Sequence, residues 1–196
     1  MSKLDQGIAT SGNRYRVIPR TLCLITHGDD LLLMRRSTAK PVWPLRRNGV
    51  GGHVERDEDV LTAALREIHE ETGLEVRALQ LRGVVNIDAG DPRSGILLFI
   101  FSAEAASREF TSSREGTLQW VPREDVLDLP LFEDLPLILP QVLDAPAGQT
   151  PFFAHYSYDE ADDLVVTFAG HQNGDLSGQP DEPGAEAHRQ GQRGEN

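Results

Sequence analysis

The stretch GHVERDEDVLTAALREIHEETGL, residues 52–74, decides how the rest of the chain is read. Its middle predicts a helix over Asp59–Thr72, because Val60, Ala63, Ala64 and Ile68 recur on one side at helical spacing. Asp57, Glu58 and Asp59 open the segment, where negative charge suits the positive end of a helix, and Gly73 stands where a left-handed stop is needed. On such a helix Glu67, Glu70 and Glu71 occupy i, i+3 and i+4, so three carboxylates share one face. Like charges at this spacing repel, by roughly 0.2–0.5 kcal/mol per exposed pair. Arg66 can meet Glu70 one turn on, but one guanidinium does not neutralise so many acids. Divalent cations with oxygen ligands, magnesium or manganese, are the natural counter-charge. An isolated E-x-x-E-E would read as a solvated face. Here the apolar stripe and the preceding Gly51-Gly52 turn, which lets backbone approach a ligand, favour a site.

Working outward, strands outnumber helices. Arg20–Thr26 and Asp30–Arg36 are β-rich runs joined by His27-Gly28-Asp29, a predicted hairpin. Val76–Ile87 and Gly95–Ala105 form a second pair around the turn-rich residues 88–94. Leu118–Val121 is a short strand stopped by Pro122, and Phe152–Tyr158 with Leu164–Phe168 predict a closing hairpin. A second helix near Asp134–Leu143 contains Pro136 and Pro140. The pattern is an α/β (α+β) layered fold, a mixed sheet with a few helices packed on it.

A chain of 196 residues, 39% hydrophobic, predicts one domain over residues 15–170 with a flexible leader, 1–14, and a tail, 171–196. That acidic tail is rich in Gly, Pro, Gln and Glu, with Leu176 as its only large apolar residue, which predicts disorder. A net charge of −12 argues against duplex nucleic acid, whose binding depends on neutralising phosphates with Lys and Arg. It leaves room for a small phosphorylated ligand whose charge a metal meets. The lone Cys23 excludes an intrachain disulfide and sits in an apolar run that reads as core. No stretch is long and apolar enough for a signal peptide or a membrane span, so the expectation is a cytoplasmic chain that does not engage membranes.

Residues 52–74 resemble the Nudix box, G-x5-E-x7-R-E-U-x-E-E-x-G-U with U apolar, at every defined position: Gly52, Glu58, Arg66, Glu67, Ile68, Glu70, Glu71, Gly73 and Leu74. The resemblance implies an α/β/α sandwich with a mixed β-sheet, in which the box is a loop–helix–loop. It implies hydrolysis of a nucleoside diphosphate linked to another group, by water attack at phosphorus with Mg2+ or Mn2+ as cofactor. By the family pattern Glu67, Glu70, Glu71 and the Gly52 carbonyl hold metal. Arg66 braces the glutamates, Glu58 and Gly73 are structural, and a further loop carboxylate completes the site.

Residues outside the box are similar to the sanitising members that destroy oxidised purine nucleoside triphosphates. Asn48-Gly49-Val50-Gly51-Gly52 is like their entrance, in which the Asn bonds the base, although an Asn beside a Gly is also ordinary turn chemistry. Glu115, ahead of a strand with Trp120, is the candidate extra carboxylate; a solvated loop Glu is the plain alternative. Phe132 is placed to stack on a base and Glu133 or Asp134 to bond it, against core packing and a helix start. Phe152, Phe153, Tyr156 and Tyr158 are similar to that group's closing strands. Departures are His53, where Lys is common, and residues 41–47, where Trp43 stands ahead of Arg46-Arg47, a compact basic pair placed either to meet phosphate oxygens or simply to face solvent. The expected reaction converts an oxidised purine nucleoside triphosphate to monophosphate and pyrophosphate. An ADP-ribose or nucleotide-sugar pyrophosphatase and an inactive nucleotide-binding regulatory module are the alternatives. The partner is a small nucleotide, and the resemblance leaves a homodimer open.

Overall fold

Alternation along a single strand divides the core in two. In β1 (Arg16–His27), Leu22 and Leu24 join one apolar cluster, while Cys23 and Ile25 join another on the opposite face. The strand is buried on both sides, and the computed structural model, which describes residues 14–36, 45–111, 116–146 and 148–170, is built around it.

β1 runs parallel to β5 (Ser94–Ala105) in continuous register from Arg16↔Ser94 to Thr26↔Glu104. β4 (Val76–Asp91) pairs antiparallel with β5, β7 (Phe152–Tyr158) runs parallel to β4, and β8 (Leu164–Phe168) closes that edge. On the other side β2 (Asp30–Arg36) pairs with β1 only from Ile25↔Leu32 to His27↔Asp30. Beyond that it diverges and takes β3 (Arg47–Asn48) at Met34 and Arg35, while β6 (Gly116–Pro122) pairs with the whole of β2, from Asp30↔Pro122 to Arg36↔Gly116. Residues 50–54 fill the opening beside β1. The Cys23 N–H donates to the Val50 carbonyl (2.6 Å), the Thr21 N–H to Gly52 (2.8 Å) and the Val54 N–H to Pro19 (3.1 Å).

α1 (Val60–Thr72) covers the face of Cys23 and Ile25 through buried Ala63, Ala64 and Ile68. α2 (Leu135–Leu143) covers the other face through Leu135, Ile138, Leu139 and Val142. The α/β/α layering expected from the sequence is therefore present. Pro136 falls in the first turn of α2, where a missing N–H costs nothing, and the helix ends soon after Pro140.

The strands reach further than their apolar runs. Residues 88–94, read as a turn, are mostly strand, with only Pro92 and Arg93 between the last pair, Asp91↔Ser94. The Asp91 carboxylate accepts from the Arg93 N–H (2.8 Å) and the Ser94 hydroxyl (2.7 Å), which makes the short reversal possible. Two-residue β3 and a 3-10 segment, Arg123–Asp128, had no periodicity to announce them. The leader, the tail, Trp43 and Glu115 lie outside the described residues. Among those described, no helix is long and apolar enough to cross a membrane.

Candidate active site

Both ends of α1 are fixed by local chemistry. The Asp59 carboxylate accepts from the Leu61 (2.8 Å) and Thr62 (3.0 Å) amides, and Gly73 turns left-handed at φ 68° with its N–H on the His69 carbonyl (2.8 Å). The helix register is thereby set, and with it the direction of the acidic face.

Arg66 organises that face. Its Nε and one terminal nitrogen hold Glu58 at 3.1 and 2.7 Å. Its other terminal nitrogen reaches Glu67 (2.9 Å) and Glu70 (3.1 Å), and a further N–H meets the His53 carbonyl at 3.0 Å. All five guanidinium N–H groups are used. Those carboxylates push the Arg66 pKa up, so it stays charged, while Arg66 and then the Glu55 N–H hold Glu58 below the usual carboxylate range. Glu71 bonds the Gly51 N–H at 3.0 Å, tying the helix to the Gly-Gly turn. Gly52 packs so closely on Glu67 that an added Cβ would lie 2.3 Å from its Oε1. Arg66→Lys leaves three rotating donors where five were fixed. The divalent-ion concentration giving half-maximal rate should rise about 10- to 100-fold, read from rate against metal concentration.

The donor set is made of hard oxygens, and one cation faces Glu58, Glu67 and Glu70, with Glu71 close by, so the residues fit a divalent metal in charge and type. They do not form a closed cage. Among the described residues no three acids, histidines or cysteines gather at metal-holding distance, because these carboxylates are turned to Arg66 and Gly51. An open set of this kind suits an ion that keeps waters and shares its coordination with phosphate oxygens. Cys23 lies fully buried below, and burial followed by Glu71 and Glu67 raises its pKa, as suits a core thiol.

From this acidic wall a cleft of about 1100 Å³ runs over the sheet. Gly51, Gly52, Glu67, Glu70 and Glu71 stand at one end, and Phe132, Glu133, Asp134, Tyr156 and Tyr158 at the other. Leu22, Ile87, Ile96 and Leu98 make an apolar floor, and Asn48 lies on the lining between. The structure thus brings Gly52, Glu67, Glu70 and Glu71 to one cavity with Asn48, Phe132, Glu133 and Asp134, while Glu58, Arg66 and Gly73 do not line it. Asn48 keeps both readings: its carbonyl caps the Gly49 N–H at 2.9 Å, which leaves its amide N–H groups for a ligand. Phe132 is half-buried with the Arg36 guanidinium 5.7 Å from its ring centre. Burial, then Glu133, raises the Asp134 pKa, against the pull of its own and Leu135 N–H groups. Tyr156, 2% exposed, has its phenol pKa raised by burial and by Asp134.

The basic residues are arranged otherwise than the sequence suggests. Arg46 and Arg47 do not line the cleft. Arg46 pairs with Glu133 (3.4 Å) and the Leu131 carbonyl (3.0 Å), and the Arg47 backbone accepts the Phe132 N–H (2.9 Å), so together they hold the segment that carries Phe132. Arg20 and Arg36 line the cavity instead. The only sequence signal for Arg20 is a charge at the head of an apolar strand.

With this geometry in hand, likeness to known proteins is informative. A profile of the NUDIX domain matches residues 17–142. The uncharacterized Nudix hydrolase YvcI of Bacillus subtilis (strain 168) is 32% identical over 117 residues, 57% of this chain and 70% of that protein. The oxidized purine nucleoside triphosphate hydrolase of Mus musculus is 29% identical over 121 residues, 61% of this chain and 74% of that one. The solved MutT protein of Bacillus halodurans superposes with a TM-score of 0.65 at 26% identity, covering 78% of this chain and 98% of that chain. The profile spans well over half of the sequence, and the chain belongs to the Nudix family of hydrolases, pyrophosphohydrolases of nucleoside diphosphate-linked substrates.

Proposed function

We propose that this chain is a magnesium-dependent nucleoside triphosphate pyrophosphohydrolase that acts on oxidised purine nucleotides, releasing the monophosphate and pyrophosphate. The observation that carries this reading is a single cleft with acids at one end and an aromatic, half-polar recess at the other. The resemblance of Asn48, Phe132 and Asp134 to the sanitising members supports it, as does the name of the mouse relative.

In this reading the base enters over Ile87, Ile96 and Leu98, stacks on Phe132, and meets Asn48 and Asp134 with its polar edge. The phosphates then reach Glu67, Glu70 and Glu71. A bound divalent ion would neutralise phosphate oxygens and acidify the attacking water. Glu70, the most solvent-open carboxylate of the Arg66 cluster, is placed to accept a proton from that water. Glu115 remains a candidate for the same task. Arg66 keeps Glu67 and Glu70 in position while Glu58 fixes Arg66. Product analysis tests the reading. Pyrophosphate released from an oxidised deoxyguanosine triphosphate, faster than from the unmodified nucleotide, supports it; AMP and ribose phosphate from ADP-ribose as the preferred reaction would replace it. Tight nucleotide binding without turnover would mark a regulatory module.

Asp134 gives the recognition a pH signature. Its raised pKa keeps the carboxyl neutral further up the pH scale than usual, and a neutral carboxyl offers a donor beside an acceptor, as an oxopurine edge does. Product affinity should fall as pH rises through that pKa. Asp134→Asn, neutral at every pH, should flatten this limb in calorimetric titrations. The folded state also holds the proton more tightly than the unfolded one. Stability should therefore fall as pH climbs from the ordinary Asp range through the folded pKa, and the Asn variant should melt higher at neutral pH. An unchanged affinity profile in the variant removes Asp134 from base recognition.

A further inference from the structure

Among the described residues three buried side-chain polar atoms lack a hydrogen-bond partner: Arg20 Nε, Arg47 Nε and Tyr156 Oη. Arg20 and Tyr156 both line the cleft, and both carry donors for which the fold supplies no acceptor. Arg20 is the more demanding of the two because its group carries a full charge. It sits on β1, in register with Leu98 of β5 and across from His53. Arg66 takes three carboxylates, whereas Arg20, on the wall of the same cavity, takes none. A partly buried guanidinium without a counter-charge lowers stability, so a fold that keeps one there is prepared for an anion.

Position identifies the anion. The next residue, Thr21, donates its N–H to Gly52, which packs on Glu67, so Arg20 stands beside the acidic end. It also projects on the same face of the sheet as Leu22 and Leu98, the floor that leads to the recess. Tyr156 lies three strands away across β5 and β4, about 14 Å at the usual strand spacing. Arg20 is therefore near the junction of the two ends. In a nucleotide, the group at that junction is the phosphate bonded to the nucleoside.

We propose that Arg20 grips this phosphate directly, independently of any metal, and so retains the nucleoside monophosphate after the anhydride is cut. The inference rests on the nucleotide-hydrolase reading but not on the identity of the base. A guanidinium matches two phosphate oxygens with two parallel N–H groups, which the more distant Tyr156 cannot do.

The test is calorimetric titration in EDTA with a nucleoside 5′-monophosphate and the matching nucleoside, for the base the enzyme turns over best. Wild type should bind the monophosphate at least about tenfold more tightly than the nucleoside, as a charge-assisted bidentate contact gives. Arg20→Gln should abolish most of that ratio and leave nucleoside affinity unchanged, and Arg20→Lys should restore part of it. Arg20→Gln should melt at the wild-type temperature or above, because a partly buried charge without a counter-charge has been removed. An absent ratio in wild type, a ratio that survives the Gln variant, or an equal loss for both ligands overturns the proposal. So does a lowered melting temperature in the Gln variant, which marks a structural arginine. The ratio is taken within one base, so an enzyme that proves to prefer ADP-ribose is titrated with AMP and adenosine. The product assay then fails alone while this test stands.

Discussion

Glu70→Gln should reduce turnover on the order of a thousandfold while leaving the melting temperature within about 2 °C of wild type. Glu70 is 58% exposed and accepts from Arg66 at 3.1 Å, a contact that a Gln oxygen still accepts. Little packing or hydrogen bonding is lost, so the fold is indifferent to the change. The chemistry is not, because the substitution removes one of the negative charges that a divalent ion needs on this face. Charge stabilisation by a bound metal amounts to several kcal/mol, and each 1.36 kcal/mol is tenfold in rate. Pyrophosphate release at saturating nucleotide and magnesium, beside a thermal melt, reads both quantities. Full activity in the variant would place the chemistry elsewhere on the chain.

Adjacent glycines should fail in different ways. Gly51 has φ 150°, and an added Cβ would lie 2.2 Å from the Thr21 carbonyl oxygen and 2.8 Å from its carbon. Those atoms are backbone of the central strand and have nowhere to go. Gly51→Ala should cost about 3 kcal/mol or more, a melting-temperature drop of roughly 6–12 °C for a chain of this size. At Gly52 the obstacle is Glu67, whose Oε1 would be 2.3 Å from the new Cβ. A side-chain end can swing aside, so Gly52→Ala should stay folded. It should nonetheless lose activity by about a hundredfold, because Glu67 leaves its place beside Arg66. Equal melting temperatures for the two variants, or a fully active Gly52→Ala, would contradict this account.

The parts of the molecule that were legible in the sequence are those governed by neighbours in the chain. Asp59 and Gly73 bound α1 as expected, the acidic face follows from spacing alone, and β2, β7 and β8 begin and end where their β-rich runs do. Long-range pairing was not legible. Nothing local in residues 50–54 says that they complete β1 where β2 turns away, and nothing in β1 says that β5 runs parallel to it. Arg20 was missed for the same reason: the face on which a strand residue projects matters only once the layers on each side are known. Arg46 and Arg47 offered a phosphate contact only through their charge and adjacency, which do not say where each side chain goes. One of them instead braces Glu133 and the other anchors Phe132 through its backbone.

The two ends of the cleft are fastened by different means. Residues 50–54 are joined to β1 by main-chain hydrogen bonds, which are insensitive to the side chains carried there, and Arg66 locks the carboxylates from behind. The far end is furnished by side chains such as Ile87, Phe132, Tyr158 and Leu164, projecting from β4, β7, β8 and the segment before α2. On the proposed reading, exchanging any of those should alter which molecule is admitted without disturbing the carboxylates held by Arg66. The architecture therefore separates what is cleaved from what is chosen, and a lineage built on it can drift in diet while keeping its reaction.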